Sequence, residues 1–106
     1  MKTVLMTCCV LLAASLPAQA SETAEIQSKT KVCVQCHGPD GNSPSPEFPR
    51  IAGQHYDYLV KTLKDYKSGA RKNPIMAPMV ANLTPRDIEE IAEYYSKQKG
   101  LKTAPH

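Results

Sequence analysis

The apolar positions of this chain fall into one unbroken run followed by shorter, periodic groups. The run comes first: Val4 through Leu16 is almost wholly apolar, behind a positive Lys2 and ahead of the small residues of Ala18-Gln19-Ala20. That order reads as a secretory signal peptide over residues 1–20, with cleavage expected between Ala20 and Ser21. A retained membrane anchor is the rival reading, but a span needs ~20 apolar residues and this run is shorter. A lipid anchor through Cys8 is weaker still, because Thr7 is a poor residue before a modified cysteine.

Beyond the leader three stretches read as helix, and none reads as strand. The first runs from about Glu22 to Cys36, with Gly38 as its stop. The second runs from about His55 to Lys67; Leu59, Thr62, Leu63 and Tyr66 share one face, and Gly69 ends it. The third has the fullest set of local signals. Thr84 is a good N-cap, Pro85 stands at the first helical position, and Asp87 falls where the acid of a capping box belongs. Ile88, Ile91, Ala92 and Tyr95 then make an apolar stripe, Lys97 and Lys99 suit the negative end of the helix, and Gly100 is the expected stop. The connections are rich in proline. Gly38 to Gly53 holds Pro39, Pro44, Pro46 and Pro49, and Ala70 to Leu83 has Pro74 and Pro78 on either side of Met76. Prolines this dense make stiff wraps rather than floppy linkers.

Composition narrows the choice. The 106 residues hold four cysteines, but Cys8 and Cys9 lie in the leader, which leaves Cys33 and Cys36. A disulfide between cysteines three apart closes almost no loop and stabilises little. A mature domain of this size buries a modest core and usually needs a metal, cofactor or cross-link. The net charge of +3 falls by one when Lys2 leaves. Basic and acidic residues are interleaved rather than gathered into a stripe, so nothing argues for nucleic acid. No later segment is apolar enough to span a membrane.

Cys33-Val34-Gln35-Cys36-His37 carries the chemistry. It is the signature of c-type haem attachment: two thiols three apart on a helical turn add to the two haem vinyl groups, and the adjacent histidine lies under the iron. A structural zinc would need four ligands, with only His55 and His106 to complete the set. A redox dithiol would need strands around it. For the sixth ligand, Met76 and Met79 are the methionines left after the leader, and both lie in the proline-bracketed loop. One is expected to ligate and the other to pack; His/Met ligation raises the potential of a c-type haem.

Over these residues and beyond them, the mature chain resembles the class I cytochromes c. It is most similar to small bacterial carriers of the cytochrome c-553 type and to the single-haem halves of dihaem cytochrome c4. The resemblance is carried by Cys33 to His37, Gly38 to Ser43, Phe48 to Gln54, Tyr58, Leu59, Asp65 to Gly69, Met76 to Met79, and Leu83 to Tyr95. It implies an all-α fold over residues 21–106, with three main helices and proline-rich loops wrapped around one covalent haem c and its iron. It implies Met76, seven residues before Leu83, as the axial partner of His37. It implies that the carbonyl of Pro49 accepts from the other ring nitrogen of His37, that Phe48 and Ile51 line the haem, and that Arg50 sits near a propionate. Many family members carry a glycine or an aromatic residue where the first helix crosses the last; here Ala24 or Ile26 is expected to serve.

The function so implied is that of a periplasmic, monomeric electron carrier rather than an enzyme. Its expected partners are a bc1-type complex upstream and a terminal oxidase or reductase downstream. The rivals are a haem subunit that accepts electrons from a periplasmic dehydrogenase and a gas-binding sensor with an open sixth position.

Overall fold

The computed structural model describes residues 2–14 and 18–104; residues 15–17 of the expected leader, and His106, lie outside them. The described elements are all helices: α1 (Ala18–His37), α2 (Tyr56–Ser68), α3 (Met76–Val80) and α4 (Pro85–Ser96). Three of them match the three expected from the sequence, and α3 is an addition. α2 and α4 pack together, α1 crosses α4, and the short α3 rests on α2.

α4 forms for the reasons visible in its sequence. The Thr84 side chain accepts from the Asp87 N–H at 3.1 Å, and the Asp87 carboxylate accepts from the Thr84 N–H at 2.9 Å. Two of the N–H groups that a helix start leaves without partners are thereby satisfied. Its stripe of Ile88, Ile91, Ala92 and Tyr95 is at most 2% exposed and forms the centre of the core. Each of the two fully buried isoleucines contributes about 1.5–3 kcal/mol of hydrophobic stabilisation. The helix ends at Ser96, four residues before the expected stop. Gly100 has another task. A Cβ there would lie 2.6 Å from both the Cβ and the carbonyl oxygen of Ala52, so glycine is what lets the chain after α4 press against the 51–53 segment.

α2 ends as its sequence suggests, on Gly69 at φ +84°. Leu59 is buried, with Val60 and Leu63 half-buried against the same core. α1 is different, because its apolar residues do not gather on one face. It begins at Ala18, so the expected leader cleavage point falls within its first turn.

The α1–α4 crossing is therefore not the apolar contact expected from Ala24 or Ile26. Ala24 is exposed and Ile26 only half-buried. Thr30 is the buried α1 residue there, its hydroxyl satisfied within the helix by the Ile26 carbonyl at 2.9 Å. Beside it Lys29, its side chain 19% exposed, reaches Glu90 and Asp87 of α4 and Glu25 of its own helix.

The segment expected to be a loop around Met76 contains the helical turns of α3. Pro74 lies before the helix, and Pro78 occupies its third position. First-turn N–H groups have no intrahelical partner, so a proline there removes nothing.

Candidate functional site

The last turn of α1 presents Cys33, Cys36 and His37 together. Both thiols are free and half-buried. Cys33 packs into the core cluster of Leu59, Ile91, Ala92 and Tyr95, with Ile51 and Leu63 against the same cluster. Burial is the main cause that raises the Cys33 thiol above its ordinary pKa, so it sits there uncharged.

The chain leaves α1 through Gly38, in the left-handed region at φ +82°, with its N–H on the Val34 carbonyl at 3.0 Å. It then folds back over the end of the helix. The buried Ser43 hydroxyl lies 2.8 Å from the Ser45 carbonyl and 3.2 Å from the Cys36 carbonyl. Tyr94 of α4 donates to the Pro39 carbonyl at 2.7 Å. The carbonyl of Gly41 accepts from the N–H groups of Ile51 and Ala52, at 2.9 and 3.1 Å. Gly41 itself has φ +84°, and a Cβ on it would meet Ala52 N and Tyr95 Cδ1 at 2.8 Å. A side chain there is excluded by both conformation and space.

This fold-back brings Pro49 to His37. Nδ1 of the buried imidazole is 2.8 Å from the Pro49 carbonyl oxygen. A carbonyl only accepts, so Nδ1 carries the proton, and in the neutral ring the lone pair is on Nε2. A hydrogen bond of this kind fixes the ring and raises the basicity of the free nitrogen toward a metal.

Of the other expected site residues, Ile51 and Phe48 are half-buried, and Phe48 is held in a turn by its N–H on the Ser45 carbonyl at 3.3 Å. Arg50 is exposed. Met76 is half-buried at the start of α3, while Met79 on the same short helix is 43% exposed. Among the described residues, no three His, Cys, Asp or Glu side chains gather into a group that would hold a metal ion. A groove of about 580 Å³ lined by Tyr56, Arg86, Glu89, Glu90 and Glu93 lies elsewhere and includes none of the donor residues.

The donor set fits a covalent haem c: two thiols one turn apart, an adjacent imidazole with an oriented Nε2, and apolar side chains from α2, α4 and Ile51 packed against Cys33. Ser43, Gly41 and Tyr94, which hold the loop that carries Pro49, are contributions no local pattern announces. Their partners are distant in sequence or are backbone carbonyls.

Comparisons with known proteins bear on the family and the fold. The cytochrome c family model matches residues 24–99. The crystal structure of reduced recombinant cytochrome c4 from Pseudomonas stutzeri superposes with a TM-score of 0.68 at 45% identity, covering 74% of this chain and 46% of that one. Cytochrome c-554(548) of Halomonas halodenitrificans is 40% identical over 83 residues, which is 76% of this chain and the whole of that protein. The thiosulfate dehydrogenase electron acceptor of Stutzerimonas stutzeri is 36% identical over 85 residues, 74% of this chain and 39% of that one. The chain spans about half the length, or less, of the curated cytochrome c4 relatives it matches. With the family model covering all of the site and most of the helical domain, this chain belongs to the cytochrome c family.

Proposed function

We propose that the chain is a periplasmic carrier of single electrons, with residues 21–106 as its functional domain and residues 1–20 as a leader. The observation that carries this reading is the 2.8 Å hydrogen bond between His37 Nδ1 and the Pro49 carbonyl, directly beside Cys33 and Cys36. It turns a sequence motif into an oriented ligand. A covalent haem c supplies the one-electron ferric/ferrous couple. Cys33 and Cys36 would anchor it, and His37 Nε2 and the Met76 sulfur would hold its iron. An iron held by both side chains would leave no place for a substrate, which suits a carrier rather than a catalyst. Ile51 and Phe48 serve as apolar lining, which keeps water away and adds to the levers that set a haem potential.

Export is supported by the leader pattern and by Val4, Leu5, Leu11 and Leu12, apolar side chains that no part of the helical domain covers. Among the described residues no helix is long and apolar enough to cross a membrane. The partners proposed are a bc1-type complex as donor and a terminal oxidase or reductase as acceptor. The likeness to the Stutzerimonas stutzeri protein supports a second reading, in which a periplasmic dehydrogenase is the donor.

Two measurements test the proposal. Acid–acetone treatment of the mature protein should leave haem on the polypeptide; haem that extracts overturns covalent attachment through Cys33 and Cys36. Stopped-flow mixing of the holoprotein with each candidate donor should show one-electron reduction. Fast reduction by the dehydrogenase alone would select the second reading.

A further inference from the structure

The segment that delivers Met76 is tied down twice. The first tie is Arg71, whose N–H reaches the Asp65 carbonyl at 3.0 Å and whose guanidinium lies over the Tyr66 ring, 4.9 Å from its centre. Both hold the start of the segment on α2. The second tie is Asn73. Its side-chain oxygen accepts from the N–H groups of Ile75 and Met76, each at 2.9 Å, and its backbone carbonyl accepts from Ala77 at 3.0 Å. Ile75, which stands at the N-cap of α3, makes no side-chain cap of its own. Pro74 has no N–H to satisfy and holds its φ. One half-buried side chain thus fixes the backbone of the methionine itself and of the residue before it.

Methionine is unbranched and turns about three side-chain bonds, so it reaches many places from one backbone position. Holding its N–H leaves fewer of those places accessible and lowers the entropy cost of the one in which the sulfur meets a metal. We infer that Asn73 is the positioning residue of the sixth ligand, acting through the backbone of Met76. This inference rests on the reading of Met76 as axial ligand. The function lies in the acceptor oxygen and its reach. Aspartate places an oxygen at the same distance from the backbone, whereas glutamine keeps the carboxamide but moves it one methylene farther out. A residue that merely capped α3 would change stability and leave the ligand's grip on the iron alone.

The test uses the ferric holoprotein with imidazole as the competing ligand, read through the weak far-red band of methionine-ligated haem and through the reduction potential. Asn73→Ala and Asn73→Gln should weaken the band, lower the potential and raise the apparent imidazole affinity. The loss of two backbone hydrogen bonds sets the expected rise at roughly 10- to 30-fold. Asn73→Asp should match the wild type in the band and in imidazole affinity, its potential shifting only by the added negative charge. Should Asn73→Ala fail to fold, the comparison of Asp with Gln decides on its own. Equal imidazole affinities across Asn, Asp and Gln overturn the inference, and so does an Asp variant that behaves like Gln. Met76→Ala runs alongside. If it abolishes the band while the Asn73 variants leave it intact, only the role of Asn73 falls; if it keeps the band, Met76 is not the ligand and both readings fall.

Discussion

Lys29 of α1 lies 3.3 Å from the Asp87 carboxylate of α4 and also pairs with Glu90 on the same helix and Glu25 on its own. A single cation therefore joins the helix that carries Cys33 and Cys36 to the helix that supplies most of the core. The arrangement takes the place of the contact expected from Ala24 or Ile26 at this crossing. It suits an α1 whose apolar side chains do not form a face.

The pairing makes docking of α1 sensitive to acid. Glu90 is held below the usual carboxylate range, chiefly by its hydrogen bond with Lys29 and next by Arg86. Asp87 is lowered chiefly by the hydrogen bonds with Thr84 and then by Lys29. Groups whose folded pKa is depressed stabilise the fold above their unfolded pKa, and that contribution is lost as pH falls through the folded value. With unfolded values of about 3.9 for Asp and 4.3 for Glu, the loss begins at about pH 4 and grows below it. Lys29 is shifted upward, so its own contribution persists until strongly alkaline pH. Thermal unfolding of the holoprotein between pH 3 and 7 should show Tm falling below about pH 4. In Lys29→Met the neutral-pH Tm should be lower by a few degrees and the acid limb shallower. An unchanged acid limb in that variant would place the sensitivity in other carboxylates.

Gly41→Ala should destabilise by about 2 kcal/mol or more, since it combines a strained φ with lost space. The space in question is occupied by Ala52 N and the Tyr95 ring, neither of which is the loose end of a side chain. Because the Gly41 carbonyl holds Ile51 and Ala52 two and three residues past Pro49, the haem spectrum should move as well. Chemical denaturation and the visible spectrum check the two outcomes separately. A Tm equal to that of the wild type would show that this turn is not under the constraint described.

Tyr95 is 1% exposed, and its hydroxyl has no hydrogen-bond partner among the described residues. Burial is the first cause that pushes its pKa up, so the phenol stays protonated well into the alkaline range. A buried donor without a partner costs about 1–3 kcal/mol, and Tyr95→Phe removes it while keeping the ring. The variant should be at least as stable as the wild type by differential scanning calorimetry. A marked loss of stability would reveal a partner for the hydroxyl in the holoprotein.

Met76→Ala should empty the sixth position. The far-red band should vanish, carbon monoxide should bind the reduced protein, and the potential should fall. Met79→Ala should keep the band. With that side chain 43% exposed, its loss should cost no more than about 0.5 kcal/mol, as for most surface substitutions. The reverse pattern would move the ligand to Met79. A wild-type spectrum that lacks the band, and that neither substitution changes, would leave the open-site sensor as the reading to pursue.

The features legible in the sequence are those whose cause lies within a few residues. Thr84, Pro85 and Asp87 mark the start of α4 because a capping box closes over three positions, and Ile88, Ile91, Ala92 and Tyr95 show their common face through the helical period alone. Cys33, Cys36 and His37 are legible for the same reason, since thioether attachment requires that local spacing. Tertiary structure decided the rest. α3 hid behind its prolines, because whether Pro78 breaks a helix or sits harmlessly in its first turn depends on where the helix begins. Lys29 looked like any surface lysine until α4 brought Asp87 and Glu90 to it, and Gly100 looked like a helix stop until Ala52 arrived 2.6 Å from where its Cβ would stand. The hydrogen bond from His37 to Pro49 joins residues twelve apart through a loop whose path is set by Gly41, Ser43 and Tyr94. Local sequence determines which helix forms and which ligands it offers; the approach of distant backbone determines how they are aimed, because a hydrogen bond across the fold depends on every contact that holds its two ends.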